Sequence, residues 1–287
     1  MSSMDLAPKI RKFSLEFSNL SREGQAELIR ILRANQAKIQ PLRKLYSYYP
    51  DDGPLRRELY PRHMEFFAAG GRHDLLPTCP DDCDGSPHRD RLALCANRVG
   101  KTESMGGYEV AIHLTGRYPR WWQGARWSRP IDCWAAGKNN ESTRDIVQAK
   151  LFGKVRFNGR EKAVDGTGLI PHEDIGLVTW KRGVANLIDT AKIRHSSGGW
   201  SEIGLKSYEQ GRGSFEGTER DVIWCDEEPP IEVYEEAGIR LMTRSGHFLC
   251  TFTPLEGMSH VVLTFIPGGS LPVRVEERAK WLMRAIV

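Results

Sequence analysis

No stretch of this sequence reaches 18 consecutive apolar residues, so no membrane-spanning helix is expected. Neither a secretory leader nor an internal repeat is expected from its patterning, which argues against exported mini-scaffolds and solenoids. Cysteines are sparse and scattered: Cys79, Cys83, Cys95, Cys133, Cys225 and Cys250. Three of them fall in apolar runs that read as buried strands, so a disulfide framework is not expected and an intracellular, reducing setting is. Only CPDDC (79–83), followed by His88, has zinc-like spacing; it lacks an evident fourth ligand and reads as a polar loop. Charge of one sign is missing too. A net of +4 over 287 residues suits a phosphate-bearing partner but is too weak to name one. What remains, 40% apolar and 27% charged, is an ordinary globular composition with room for one large domain or two small ones.

The first fifty residues contain a helical pattern from Gln25 to Ile39, with Leu28, Ile31, Leu32 and Ile39 roughly on one stripe. This helical N-terminal segment (1–50) is expected to lie outside the main core, which takes up 51–287. YSYYPDDGP (46–54) reads as a turn-rich connector. RRELYPRHMEFFAAGG (56–71) reads as a helix stopped by its glycines, and 74–90 as loop. From Arg91 on, short apolar runs alternate with helical ones. Strands are expected at 91–96, 131–137, 176–180, 191–195, 202–207, 221–225 and 247–253, and helices at 102–114, 141–153 and 231–244. Such alternation predicts an α/β fold, a mostly parallel central sheet flanked by helices. Ligands of these folds gather at the carboxyl ends of strands, so the segments leaving three strands carry the chemistry.

The first is Cys95-Ala96-Asn97-Arg98-Val99-Gly100-Lys101-Thr102, between an expected strand and an expected helix, where a phosphate loop belongs. Backbone N–H groups and the helix start face phosphate oxygens, and Gly100 permits close approach. Lys101 reaches the β- and γ-phosphates, and the Thr102 hydroxyl is a Mg²⁺ ligand. The usual pattern is GxxxxGK[ST]; Cys95 takes the place of its first glycine, so the loop is a variant. The second segment is DVIWCDEE (221–228), an apolar strand running into three carboxylates. Crowded acids at a strand tip call for a cation or a wet site. Asp226 is assigned to the metal and Glu227 to activating the attacking water, with Glu228 the rival for that second role. The third is HFLCTFTPLEG (247–257), where Thr253 is the candidate sensor of the γ-phosphate. ATP and Mg²⁺ are therefore the expected substrate and cofactor, and the fold is narrowed to a P-loop NTPase of the ASCE, RecA-like kind.

The order ANRVGKTE, KSYEQGRGSFEGT, DVIWCDEEPP, TFTPLEGMSH resembles the ATPase domain of tailed-bacteriophage terminase large subunits. Members of that family often lack the first loop glycine and carry an arginine inside the loop, as Arg98 stands here. TFTPLEGMSH is similar to the family's coupling motif, and RRELYPRHMEFF to its adenine-binding segment. That places Tyr60, Pro61 and His63 near the base, with His63 where the family often has Gln. GRYPRWWQGARWSRPIDCWAAG (116–137) also has the look of the family. The resemblance spans roughly residues 50–270.

It implies a motor that hydrolyses ATP to move double-stranded DNA into a procapsid. The motor would work in the host cytoplasm with a portal protein and a small terminase subunit, monomeric alone and a homo-oligomeric ring when assembled. Complete members continue into a nuclease domain, so nuclease activity is not expected of this chain. Arg98 in cis, or Arg212 on a neighbour, is the candidate to neutralise transition-state charge. DNA would be held by its backbone, because a packaging motor passes any sequence. Arg117, Arg120, Arg126, Arg129, Lys138 and Arg144 are the candidates. The rival readings are another nucleic-acid-dependent P-loop ATPase such as a helicase, and a non-catalytic nucleotide-binding scaffold module.

Overall fold

The computed structural model describes residues 17–39, 44–71, 85–96, 99–159, 161–255, 257–266 and 284–286. Strands β1 (Asp90–Leu94), β2 (Asp132–Gly137), β5 (Ile175–Trp180), β6 (Ile188–Arg194), β7 (Trp200–Ser207), β8 (Val222–Asp226), β9 (His247–Phe252) and β10 (Arg284–Ile286) form one sheet. Its order is β10-β1-β9-β8-β2-β7-β6-β5. All pairings from β10 to β7 are parallel, and β7-β6-β5 are antiparallel. β3 (Val155–Asn158) and β4 (Glu161–Val164) make a separate antiparallel hairpin. The expected mostly parallel α/β sheet is therefore present. β9 lies between the loop strand β1 and the acid strand β8.

Both sheet faces are covered, which is why β8 and β9 are buried along their whole length rather than alternating. Strand geometry sends successive side chains to opposite layers. Trp224 and Leu249 pack into one core with Tyr108, Val110, Ala111 and Phe152. Ile223, Cys225, Phe248, Cys250 and Phe252 pack into the other with Val233, Ala237, Val262 and Phe265.

The first layer is built by α2 (Pro61–Ala69) and two helices that contain π-helical winding. One runs 101–115, π over Lys101–Gly107 and then α3 (Tyr108–Thr115); the other, α4, runs 140–152. α5 (Ile231–Met242) and α6 (His260–Phe265) build the second layer. α1 (Arg22–Ile39) covers the stretch expected to be helical, and its first turns are largely exposed. The connector at 46–54 is less peripheral than its turn residues suggest: Leu45 and Tyr49 are buried in the first core.

α2, β1 and α3 are locked at the end of β1 away from the loop. Arg91, fully buried, donates to both Glu109 oxygens at 2.7 and 3.0 Å and to the Phe66 carbonyl at 2.8 Å. Charge-assisted bidentate bonding is what makes such a buried cation tolerable.

Candidate active site

β1, β9 and β8 run parallel and end together, so the loop after β1, the Thr251–Thr253 stretch and the acid tip meet at one edge. Gly100 is left-handed, φ +85°, the backbone that a turn into a helix start needs and that side chains disfavour. A Cβ there would also sit 2.6 Å from Ser104 Oγ. Lys101 follows, buried, as the first residue of the helix. Asn97 and Arg98 lie outside the described residues.

Asp226 is the centre of the arrangement. It is 3% exposed and accepts a hydrogen bond from Thr251 at 2.9 Å, and the Thr102 hydroxyl favours its charged form. Trp224 Nε1 in turn donates to the Thr251 hydroxyl at 2.8 Å. Burial pushes the Asp226 carboxyl up to about 7; the two hydroxyls and the Lys101 ammonium pull the other way, and Glu227 adds to the rise. A buried carboxylate so short of counter-charge, beside a threonine hydroxyl, is a hard-oxygen donor set that fits a divalent cation. Among the described residues no group of three or more His, Cys, Asp or Glu offers another metal site, and Cys79 and Cys83 lie outside them.

The next two acids part ways. Glu227 has φ +64°, a costly conformation for a residue with a side chain, and its N–H donates to the Thr251 carbonyl at 3.1 Å. Glu228 accepts a hydrogen bond from Ser259, the N-cap of α6, so its carboxylate is already engaged. Both line a cavity of about 710 Å³ with Lys138, Tyr208, Thr253, Leu255 and His260. Thr253 donates to the Cys95 carbonyl at 2.8 Å, and Cys95 N–H to the Phe252 carbonyl at 3.2 Å, stitching the third strand to the first loop residue. Burial raises the Cys95 thiol, against the opposing charge of Lys101.

The segment expected near the base begins as a 3₁₀ turn, Arg57–Leu59, before Pro61 opens α2. Tyr60 stacks on His63, ring centroids 5.3 Å apart at 26°. His63 is buried, within 2.8 Å of the Tyr49 hydroxyl, and bonds the Val99 carbonyl. It buttresses the phosphate loop from behind. Tyr48 and Tyr49, which composition alone leaves in a connector, reach the same helix start: their hydroxyls bond the Ser104 hydroxyl and carbonyl, each at 2.8 Å. Glu103 pairs with Lys44 and, at 2.5 Å, with Lys150. Thr251, beside a strand end, and Tyr48 and Tyr49, in a turn-rich connector, are site residues that linear order does not single out.

Several basic candidates are committed elsewhere. Arg117 is bidentate on buried Asp174 at 2.7 and 2.8 Å, and Arg129 on buried Asp221 at 2.6 and 3.2 Å. Arg126 bonds the Trp122 carbonyl at 2.9 Å, Arg144 pairs with Asp145 at 2.7 Å, and Arg212 with Glu236 at 2.9 Å. Arg120 and Lys138 are exposed. No helix among the described residues is long and apolar enough to cross a membrane.

A family model described as terminase large subunit, T4likevirus-type, N-terminal, matches residues 92–280. The terminase large subunit of Salmonella phage P22 is 32% identical over 277 residues, covering 90% of this chain and 49% of that protein. The chain thus spans about half the length of that relative. The large terminase of a thermophilic bacteriophage, solved in complex with ADP, aligns at a TM-score of 0.39 and 13% identity over 67% of this chain and 38% of that one.

Proposed function

The chain belongs to the terminase large-subunit family, T4-like type, and from that premise we propose that it is the ATP-hydrolysing motor half of a viral DNA-packaging enzyme. The observation that carries the reading is that three segments meet at one sheet end: Thr251 donates to the buried Asp226 carboxylate at 2.9 Å, and Thr253 to the Cys95 carbonyl at the start of the loop at 2.8 Å. Three loops distant in sequence supply the parts a triphosphate site needs.

In this reading ATP lies along Cys95–Thr102, with its base near Tyr60. Lys101 neutralises β- and γ-phosphate oxygens. Thr102 and Asp226 hold Mg²⁺, which supplies charge stabilisation to the phosphoryl oxygens. Glu227 orients a water and takes its proton as the water oxygen bonds phosphorus and the bond to the leaving diphosphate breaks. Glu227 is favoured over Glu228 because the latter's carboxylate is bound to Ser259. Arg98 stabilises the developing charge. Thr253, bonded to the loop at Cys95, senses loss of the γ-phosphate and passes it along 253–259. Duplex DNA is gripped by its phosphates, with exposed Arg120 and Lys138 as contacts. A portal protein, a small terminase subunit and further copies of the chain in a ring complete the machine in the host cytoplasm.

The test is steady-state phosphate release from the purified chain, with and without duplex DNA. Glu227→Ala should abolish release and keep ATP binding, while Lys101→Ala should weaken binding as well. Release that neither substitution alters would overturn the role assignments. Strand separation during turnover would favour a helicase, and ATP binding with no turnover even in the assembled machine would favour a scaffold module.

A further inference from the structure

The turn between β7 and β8 reaches the acid tip through the Tyr208 hydroxyl. Tyr208 opens the 3₁₀ turn Tyr208–Gln210 and is 5% exposed. Its hydroxyl bonds the carbonyls of Asp226 and Glu227, each at 3.0 Å, and lies 3.4 Å from that of Ala136. Glu227 is held in the left-handed region, which disfavours a side-chain-bearing residue by roughly 1–2 kcal/mol. Such a conformation persists only where the surroundings over-determine it. Here the Glu227 N–H is tied to the Thr251 carbonyl and its own carbonyl to Tyr208. The two bonds fix the peptide planes on both sides of its Cα, and with them the direction in which the carboxylate leaves the backbone. Glu227 and Tyr208 line the same cavity.

We infer that Tyr208 is a positioning residue for hydrolysis: its hydroxyl sets the Glu227 backbone, and through it the turn 208–216 controls whether the acid is aimed at the attacking water. The turn is built to transmit a displacement. Glu209 accepts from the Asn140 N–H at 2.9 Å, Gln210 accepts from Lys181 at 2.8 Å, and Lys206 donates to the Ser214 carbonyl at 2.5 Å. At its outer end Arg212, 59% exposed, is pinned to Glu236 of α5. A phosphate or carboxylate that draws Arg212 away loosens the turn whose first residue holds Glu227.

This inference rests on the proposed ATPase, and the experiment separates the two. Wild-type turnover and its loss in Glu227→Ala test the reading; Tyr208→Phe tests the inference, because it deletes the donor and keeps the ring. With Tyr208→Phe, kcat should fall about 10- to 100-fold, the size expected when a reacting group is misplaced by about an ångström. ATP affinity should stay within about 2-fold, because Lys101 and the loop are untouched. p-Aminophenylalanine at 208, which restores a donor, should recover most of kcat. Unchanged kcat in Tyr208→Phe overturns the inference. So does a loss of kcat that comes with lost affinity and lost melting temperature and that p-aminophenylalanine fails to restore, which assigns Tyr208 to packing alone. Absence of turnover in the wild-type chain and its assembled machine removes the reading and the inference with it.

Discussion

At the scale of single residues the site is a chain of hydroxyls around one buried acid. Trp224 donates to Thr251 and Thr251 to Asp226, whose charged form the Thr102 hydroxyl also favours. Thr251→Val keeps the volume and deletes the relay. It leaves the Trp224 N–H unpaired and strips a donor from Asp226, each worth about 1–3 kcal/mol when buried. The expected outcome is a lower denaturant midpoint in urea at unchanged slope, together with weakened Mg²⁺–ATP binding. Thr253→Val should cost much less stability, because Thr253 is only half-buried and bonds a loop carbonyl. A midpoint unmoved by Thr251→Val would show that the relay contributes nothing. The sequence made Asp226 and Lys101 legible because their neighbours in the chain repeat a known chemistry. It favoured Thr253 as the working hydroxyl, whereas Thr251 is the one on the acid. Alternation along β9 sends Thr251 and Thr253 to the same side, and only the pairing with β8 decides which lies level with Asp226.

At the scale of elements, what brings the loop to the acid is the seating of one helix on one strand. Gly106 lies over the Trp224 indole so closely that a Cβ would fall 2.1 Å from Nε1. Any side chain there lifts the start of the helix, and Lys101 and Thr102 with it, away from Asp226. Gly106→Ala should therefore cost about 1–3 kcal/mol as overpacking, partly offset by the better helix propensity of alanine. It should also weaken nucleotide binding without touching a ligand-contacting group, as isothermal titration with a non-hydrolysable ATP analogue would measure. Full affinity in a stably folded Gly106→Ala would mean the helix can shift without opening the site. The strands and helices themselves were readable from apolar runs, because β8 and β9 are buried on both faces and the helices keep one apolar face. Strand direction in the middle of the chain was not. β5 and β6 are less continuously buried than the parallel strands, and the short connections at 181–187 and 195–199 leave room only for antiparallel returns. The β3–β4 hairpin went unread for a related reason: with Phe157 exposed, it has little apolar alternation to show.

For the whole molecule, the same burial that makes the sheet rigid makes it acid-sensitive. His63, His113, His195 and His247 are all buried, and burial lowers the pKa of each; His63 falls to about 4. His113 is partly held up by Glu109, and His247 is pressed further down by the charge of Arg91. A histidine whose folded pKa lies below its unfolded value of about 6.5 is uncharged in the native protein while the unfolded chain takes up a proton. The resulting stability is fully present above pH ~6.5 and is lost as pH falls toward the folded pKa, at up to ~1.4 kcal/mol per pH unit for each group. Asp226, held up near 7, and Asp90, also raised by burial, run the other way, two groups against four. With a total stability of about 5–15 kcal/mol, the melting temperature should drop steeply between pH ~6.5 and ~5. Circular dichroism melts across that range would check it. His63→Gln should flatten the drop, since an amide can still donate to the Val99 carbonyl and meet the Tyr49 hydroxyl but takes up no proton. A wild-type melting temperature constant from pH ~7 to ~5 would mean that these histidines reach water in the native state, and that the packing between α2, the phosphate loop and the sheet is looser than their burial implies.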